Sequence, residues 1–434
     1  MSLFNWIVFT TSVKPALLRS TGYAAFGVAV LFGLHHLPVN QLFIDPFSEA
    51  IKGYDLMDIA ISRFRDHHLP ELYDDRIAIV NTAVTDRSDL ACVLEQLSEQ
   101  DVVAIGLDLL LDTFYHTPED SLLRDAVAIA PKLVFGYTFR EDPHEEEVLA
   151  DLRTHPFFCY GRDSAYVNLA TNDGFSVRAF EPFKIMDGHI KPAFAVALAT
   201  RYDAAVENSL KERKQAKEWI NFKRIQPGPR NMVYPVNSMQ LRHYRMLDIK
   251  DIMDGSVRVD DGSLRGKIVL LGFCGEHPGA FSMNDRYYTP LNEKYSGRSL
   301  PDMHGVVVHA NIVSMLIDRD FIDEVGDAMV YGMVFLLLLF NYFCFEKLKG
   351  RNLYGSLPFA RMLQFLEFCL VLGLSIYLLA AFDVKLGFVM PAVAIALSHE
   401  LYEFYEHRMP ACLAWLKHRL ARLLRFMTQS PAAG

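Results

Sequence analysis

The sequence predicts an α/β domain with a mainly parallel sheet, carried by an α-helical transmembrane bundle with one span before the domain and three after it. Three observations lead there. Of the 434 residues, 51% are apolar, but the long charge-poor runs are confined to the N-terminus and the last quarter, while the middle has ordinary globular composition. In that middle, apolar strand-like runs alternate with helical periodicity over short links, the pattern of βαβ units. Finally, Lys and Arg gather in the links that one face of a four-span bundle would share.

Residues 1–19 form a short lead with Lys14 and Arg19, assigned to the cytoplasm. Residues 20–38 form the first span, apolar from Thr21 until His35 and His36. No small-x-small cleavage site follows, so the run reads as an anchor rather than a cleaved signal peptide. The domain then occupies 39–326. Arg76–Asn81 reads as a strand, and Asp86 caps a helix with Leu90, Val93, Leu94 and Leu97 on one face. Val102–Leu107 is a buried strand ending at Asp108, and a helix over Glu119–Ala130 leads through Pro131 to a strand over Lys132–Tyr137. Continuous apolar strands fit a parallel sheet buried on both faces.

Further on, Glu145–Glu147 reads as a solvated helix start. Phe175–Pro192 alternates around an Asp187-Gly188 turn. Pro192–Trp219 reads as helical, ending in a charged, exposed extension from Lys211. Asn231–Val236 is a strand candidate, Leu247–Met253 a short helix and Lys267–Leu271 the last core strand. The remaining spans are 327–345, 362–382 and 386–404, with a cytoplasmic loop at 346–361 and a basic amphipathic tail at 405–434.

Lys347, Lys349, Arg351 and Arg361 lie in the loop, and Arg408, Lys417, Arg419, Arg422 and Arg425 in the tail. With four spans, both segments and the N-terminus share one side. The positive-inside rule makes that side cytoplasmic and the large domain periplasmic. The net charge of −9 gives no nucleic-acid footprint. The six cysteines show no metal-binding or disulfide spacing.

Chemistry is sparsely marked. The loop Gly272-Phe-Cys-Gly-Glu-His-Pro-Gly279 follows a strand but lacks the Gly-Lys-Ser/Thr ending of a phosphate-binding loop. His277, His304 and His309 with Asp285 match no zinc spacing, so no metal is expected. Asp108 and Asp112 fall at the carboxyl end of a parallel strand, where open α/β sheets bind ligands. The ligand-binding candidates are Asp108, Asp112, Asp285, His309 and Asn311. No nucleophile–base arrangement is recognisable, so no catalytic residue, cofactor or enzymatic activity is expected. Within the spans, Asn341, Glu367, His399 and Glu400 form the candidate polar cluster, since ionisable groups in a membrane usually face the bundle interior and pair. In the tail, leucines at 413, 416, 420, 423 and 424 interleave with basic residues, which suits an anionic lipid surface or a protein partner.

Several ordered stretches make the middle region similar to the type-two CHASE domain, a sensory module of bacterial receptors. They are Asp58-Ile-Ala-Ile-Ser62, Asp75-Arg-Ile-Ala-Ile-Val80, Val103-Ala-Ile-Gly-Leu-Asp108, Asp120, Gly266-Lys-Ile-Val-Leu-Leu-Gly272, Asp285, Thr289-Pro-Leu291 and Gly305-Val-Val-Val-His-Ala-Asn311. The resemblance covers most of residues 45–320, and the three closing spans also look like the family's arrangement. It implies an extracytoplasmic sensor of an unknown small molecule. Asn81 stands where family members commonly carry an acid, which puts a ligand role for the first loop in doubt. Members usually continue into a cytoplasmic cyclase, kinase or phosphodiesterase, whereas this sequence ends at Gly434. The expectation is a receptor-like protein of the bacterial inner membrane. Its partners would be the bilayer, a separate signalling or complex-forming protein and a small ligand, with a homo-oligomer one arrangement open to it. A scaffold subunit is the alternative, and a metal-dependent extracytoplasmic enzyme a more distant one.

Overall fold

The computed structural model describes residues 3–36, 56–65, 73–83, 85–141, 148–171, 176–186, 188–226, 243–255, 262–276, 282–292, 300–350 and 357–428. The chain divides into two compact units. One is an α/β body formed by Pro46–Asp323 with Leu379–Asp383, and the other is helical, formed by the remainder.

Seven strands make the main sheet of the α/β body: β1 (Asp74–Asn81), β2 (Ala104–Asp108), β3 (Leu133–Glu141), β4 (Val148–Leu152), β5 (Asp163–Tyr166), β6 (Tyr244–Asp248) and β7 (Ile268–Gly272). Their order is β6-β1-β7-β2-β3-β4, with β5 also paired to β3. All pairs are parallel except β3 with β4. The last core strand thus inserts between the first two. Asn81 registers with Gly272 and Gly272 with Asp108, so three strands end flush.

The helices follow from the crossovers. α1 (Arg87–Glu99) links β1 to β2, α2 (Pro118–Ile129) links β2 to β3, and α5 (Ile249–Met253) links β6 to β7. All three connections step the same way along the sheet, so right-handed crossovers put all three helices on one face. There Leu94, Leu97, Leu123, Val127 and Ile252 share a core with Ile105 and Val269. α1 is capped by Asp86, whose side chain accepts from Asp89 N–H. α2 opens with a reciprocal capping box between Thr117 and Asp120, and Arg87 pairs with the Asp120 carboxylate. α3 (Phe194–Tyr202) and the fully buried stretch of α6 (Gly305–Asp318) pack on each other and against the sheet strands, with α4 (Ala205–Arg213) following α3.

Several expectations shift. The helical stretch over Pro192–Trp219 is two helices, broken at Asp203, and its charged end closes on a buried acid. Lys211, Glu212, Lys214 and Lys217 are exposed, as expected, but Arg213 forms a double hydrogen bond with the buried Glu218, and Glu218–Trp219 pairs with β-structure at Ala179–Phe180. The short helix expected from Leu247 starts at Ile249, because Tyr244–Asp248 is claimed by pairing with β1. The Asn231–Val236 strand, the Glu145–Glu147 run and His277 lie outside the described residues.

Among the described residues of the helical unit, three helices are long and apolar enough to cross a membrane: Leu17–His35, Asp327–Lys349 and Pro358–Phe382. The first belongs to a continuous helix from Leu3 to His35, so the lead and the apolar run are one element. The fourth run forms a 15-residue helix, Val389–Glu403, which passes through a π-helical turn into a helix over Met409–Thr428. Tyr23, Tyr342 and Tyr402 form a buried aromatic cluster at the centre of this unit.

Candidate functional site

A cavity of about 470 Å³ opens over the carboxyl ends of β2 and β3, beside the end of β7 and the start of α6. That size falls in the range of small-molecule sites. Asp108 reaches it as the last residue of β2. Gly272, next in register, lets α6 come close, since a Cβ there would lie 2.7 Å from the Val306 side chain.

Asp285 comes from the other side. It holds a left-handed backbone conformation (φ 51°) and its carbonyl accepts from Gly305 N–H at 3.0 Å. The short strand Arg286–Tyr287 then pairs with Met303–His304. This loop sets the Asp285 carboxylate at the amino end of α6, where unpaired N–H groups and the helix dipole favour an anion. A Cβ on Gly305 would fall 2.8 Å from a carboxylate oxygen of Asp285, so glycine is required at that contact. Tyr287 also hydrogen-bonds the same carboxylate.

The two carboxyls interact. Burial drives the Asp108 pKa upward, and the charge of Asp285 adds to the rise. Burial raises Asp285 too, outweighing the hydrogen bonds from Tyr287 and the Gly305 N–H. By solvent accessibility Asp285 is exposed, whereas Asp108 is half-buried. Among the described residues, no donor reaches the Asp108 carboxyl, and the cavity lining contains neither Lys nor Arg.

His309, on α6, also lines the cavity and is 3% exposed. Burial lowers its pKa to about 4, opposed by a hydrogen bond to the Val167 backbone, so the ring is neutral near pH 7. Its Nδ1 has no hydrogen-bond partner. Tyr137, Phe273 and Tyr287 supply aromatic wall, and Asn168 fixes the rim by bonding both the N–H and the carbonyl of Phe139.

The structure therefore brings Asp108, Asp285 and His309 together and leaves two sequence candidates elsewhere. Asp112 is exposed and accepts from the Thr113 hydroxyl. Asn311 is buried, accepting from Lys223 and Arg224 N–H and donating to the Arg224 and Val307 carbonyls, which clamps a passing segment onto α6. Other motif residues also have local structural roles. Asp58 forms a buried double hydrogen bond with Arg178, and Asp302 holds Thr289 through both its N–H and its hydroxyl. His304 bonds Gln226, and burial followed by the nearby Arg286 charge lowers its pKa to about 3. Burial pushes the Cys274 thiol up, so it is not poised as a nucleophile. No group of three or more His, Cys, Asp or Glu suited to a metal occurs among the described residues.

Asn81, the departure from the acidic pattern, closes the end of β1. It donates to Asp248 and to the Gly275 carbonyl, and accepts from Cys274 and Ala83 N–H. A carboxylate could not donate, and it would face Asp248. The amide thus ties three loops together, and the cavity lies over β2 and β3 instead.

Within the helical unit the four polar candidates separate. Asn341 donates to Glu367 at 2.9 Å, Glu400 pairs with Arg361, and His399 packs edge-on against Phe345. Gln364, which the sequence reading passed over, bridges to the Ile395 carbonyl and the Ser398 hydroxyl.

A CHASE2 domain family model matches residues 30–342, most of the chain. The chain belongs to the CHASE2 family. The domain is of an extracellular sensory type, and the chain also carries helices able to cross a membrane. No curated protein and no solved structure matches the chain.

Proposed function

We propose that this CHASE2 protein is a receptor-like component of a bacterial inner membrane. Its α/β body faces the periplasm and takes up a small ligand in the cavity between Asp108 and Asp285. Four spans return both termini to the cytoplasm, in keeping with the Lys and Arg clusters at 347–361 and 408–425. The fourth span uses Val389–Glu403 and continues into the basic helix after Arg408, which lies against lipid or a partner.

The observation that carries this reading is the unneutralised carboxyl pair in a cavity at the carboxyl ends of parallel strands, in a domain of an extracellular sensory family. Structural acids such as Asp58 and Asp74 are paired with arginine, whereas Asp108 and Asp285 meet at an open recess with no cation among the described lining residues. Output follows from covalent continuity. The α/β body includes Leu379–Asp383, the last turn of the helix Leu357–Phe382 and the residue after it, and Arg65, which also bonds Asn221, is tied there to Asp383. A ligand that binds two arrangements of the body unequally would shift their populations. In this reading the chain catalyses nothing and a separate protein receives the signal.

The test is site-specific photo-crosslinking from the tail beyond Arg408 in intact cells. One protein captured reproducibly from the cytoplasmic side supports the proposal. No protein partner at any tail position would remove the output on which the receptor reading depends.

A further inference from the structure

The chemistry of the cavity narrows its ligand. Among the described residues its charged lining groups are acids, and no lysine or arginine lines it. The Asp108 carboxyl receives no donor among the described residues. Asp285 already accepts from Tyr287 and the start of α6, so Asp108 is the side with unused acceptor capacity. His309 adds an unpartnered Nδ1 on a ring that is almost wholly buried. With the ring neutral and its other nitrogen engaged by the Val167 backbone, Nδ1 is an acceptor too. An anion would find no counter-charge here. A bare divalent metal asks for six or more oxygens or a three-residue set, and no such set occurs among the described residues.

What remains is a donor that carries positive charge and a carbon body. Tyr137, Phe273 and Tyr287 line the same recess, and aromatic rings attract ammonium groups as well as alkyl chains. Building on the sensory reading of this cavity, we propose that it receives a small organic ammonium ion. Its nitrogen would lie between Asp108 and Asp285 and its carbon body against the aromatic wall. Binding then supplies the charge that the empty site lacks.

The experiment is calorimetric titration of the full-length protein in lipid nanodiscs with phenethylammonium and butylammonium. 2-Phenylethanol and phenylacetate serve as the neutral and anionic counterparts, and glucose as an uncharged polar probe. The expected result is saturable binding of at least one ammonium ion, with the neutral and anionic counterparts at least about tenfold weaker. Asp108→Asn should weaken the ammonium ion at least about tenfold, and thermal unfolding checks that the variant is folded. Leu169→Trp, which narrows the recess from its wall, should also weaken it. The proposal is overturned if neither ammonium ion saturates below about 10 mM, if 2-phenylethanol binds as well as phenethylammonium, or if a folded Asp108→Asn variant binds unchanged. Saturable binding of phenylacetate or glucose alone would also overturn the cation assignment, while leaving the sensory reading of the cavity intact.

Discussion

The two ends of the same sheet treat an acid in opposite ways. At the amino end, Asp74 is 3% exposed and fully engaged. Arg76 donates to both of its oxygens at 2.8 Å, the Ser314 hydroxyl donates at 2.8 Å, and Arg224 stands 3.5 Å away. Burial alone would raise its pKa, but hydrogen bonds from Arg76 and the charges of Arg224 and Arg76 hold it below the usual carboxylate range. At the carboxyl end, Asp108 meets Asp285 with no cation among the described lining residues, and both are driven upward. Buried polar groups in folded proteins are normally satisfied. The amino end is therefore built for stability, and the carboxyl end keeps unused acceptors for something that arrives later.

Substitutions can break that contrast, and the largest effect belongs to the amino end. Asp74→Ala removes the buried acceptor shared by Arg76 and Arg224, and breaking a buried ion-pair network costs about 3–5 kcal/mol, here towards the lower end because Arg76 keeps its pair with Asp318. Thermal unfolding of the full-length protein should show a drop of many degrees, and an unchanged midpoint would deny the network its role. Next comes Gly305→Val. Its added carbons meet the Asp285 carboxylate, and overpacking of this kind costs about 1–3 kcal/mol. It should also displace Asp285 from the start of α6 and reduce ligand uptake by the cavity. The smallest effect is expected at Asp112→Asn, outside the cavity and exposed. Chemical denaturation should place it within about 0.5 kcal/mol of the parent, and a larger loss would mean that the carboxyl end extends further along the loop than the geometry shows.

Much of this body can be read in the sequence because its rules are local. β1, β2, β3 and β7 are continuous apolar runs, and Asp108 marks a strand end. Asp285 and His309 stand in recognisable motifs. What could not be read depends on long-range pairing. Nothing in Ile268–Gly272 says that it inserts between β1 and β2, yet that insertion brings Gly272 beside Asp108. Tyr244–Asp248 carries an arginine and a short apolar pattern, and becomes a strand only because β1 offers it an edge. Tyr287, Phe273 and Asn168 reach the cavity through such pairings, and a Tyr or Asn in a loop has no pattern of its own to announce it. Asn311 shows the reverse. It sits in the same motif as His309, but two residues further along the helix point it to the Arg224 backbone instead of the recess.

The most direct test is the stability difference between the parent and Asp108→Asn, followed by thermal unfolding of the full-length, ligand-free protein from pH 5 to pH 8. The sign follows from linkage. A carboxyl whose folded pKa lies above its unfolded value holds its proton more tightly when folded, so its contribution is greatest below the unfolded pKa. That contribution is lost as pH rises through the folded value. The parent should therefore lose stability across this range relative to the variant, with Asp108→Asn the more stable at pH 8 by a few degrees, roughly 1–2 kcal/mol. Asp108→Asn less stable than the parent at pH 8, or a difference independent of pH, would show that the Asp108 carboxylate is already neutralised within the protein and would contradict an open, acceptor-rich site.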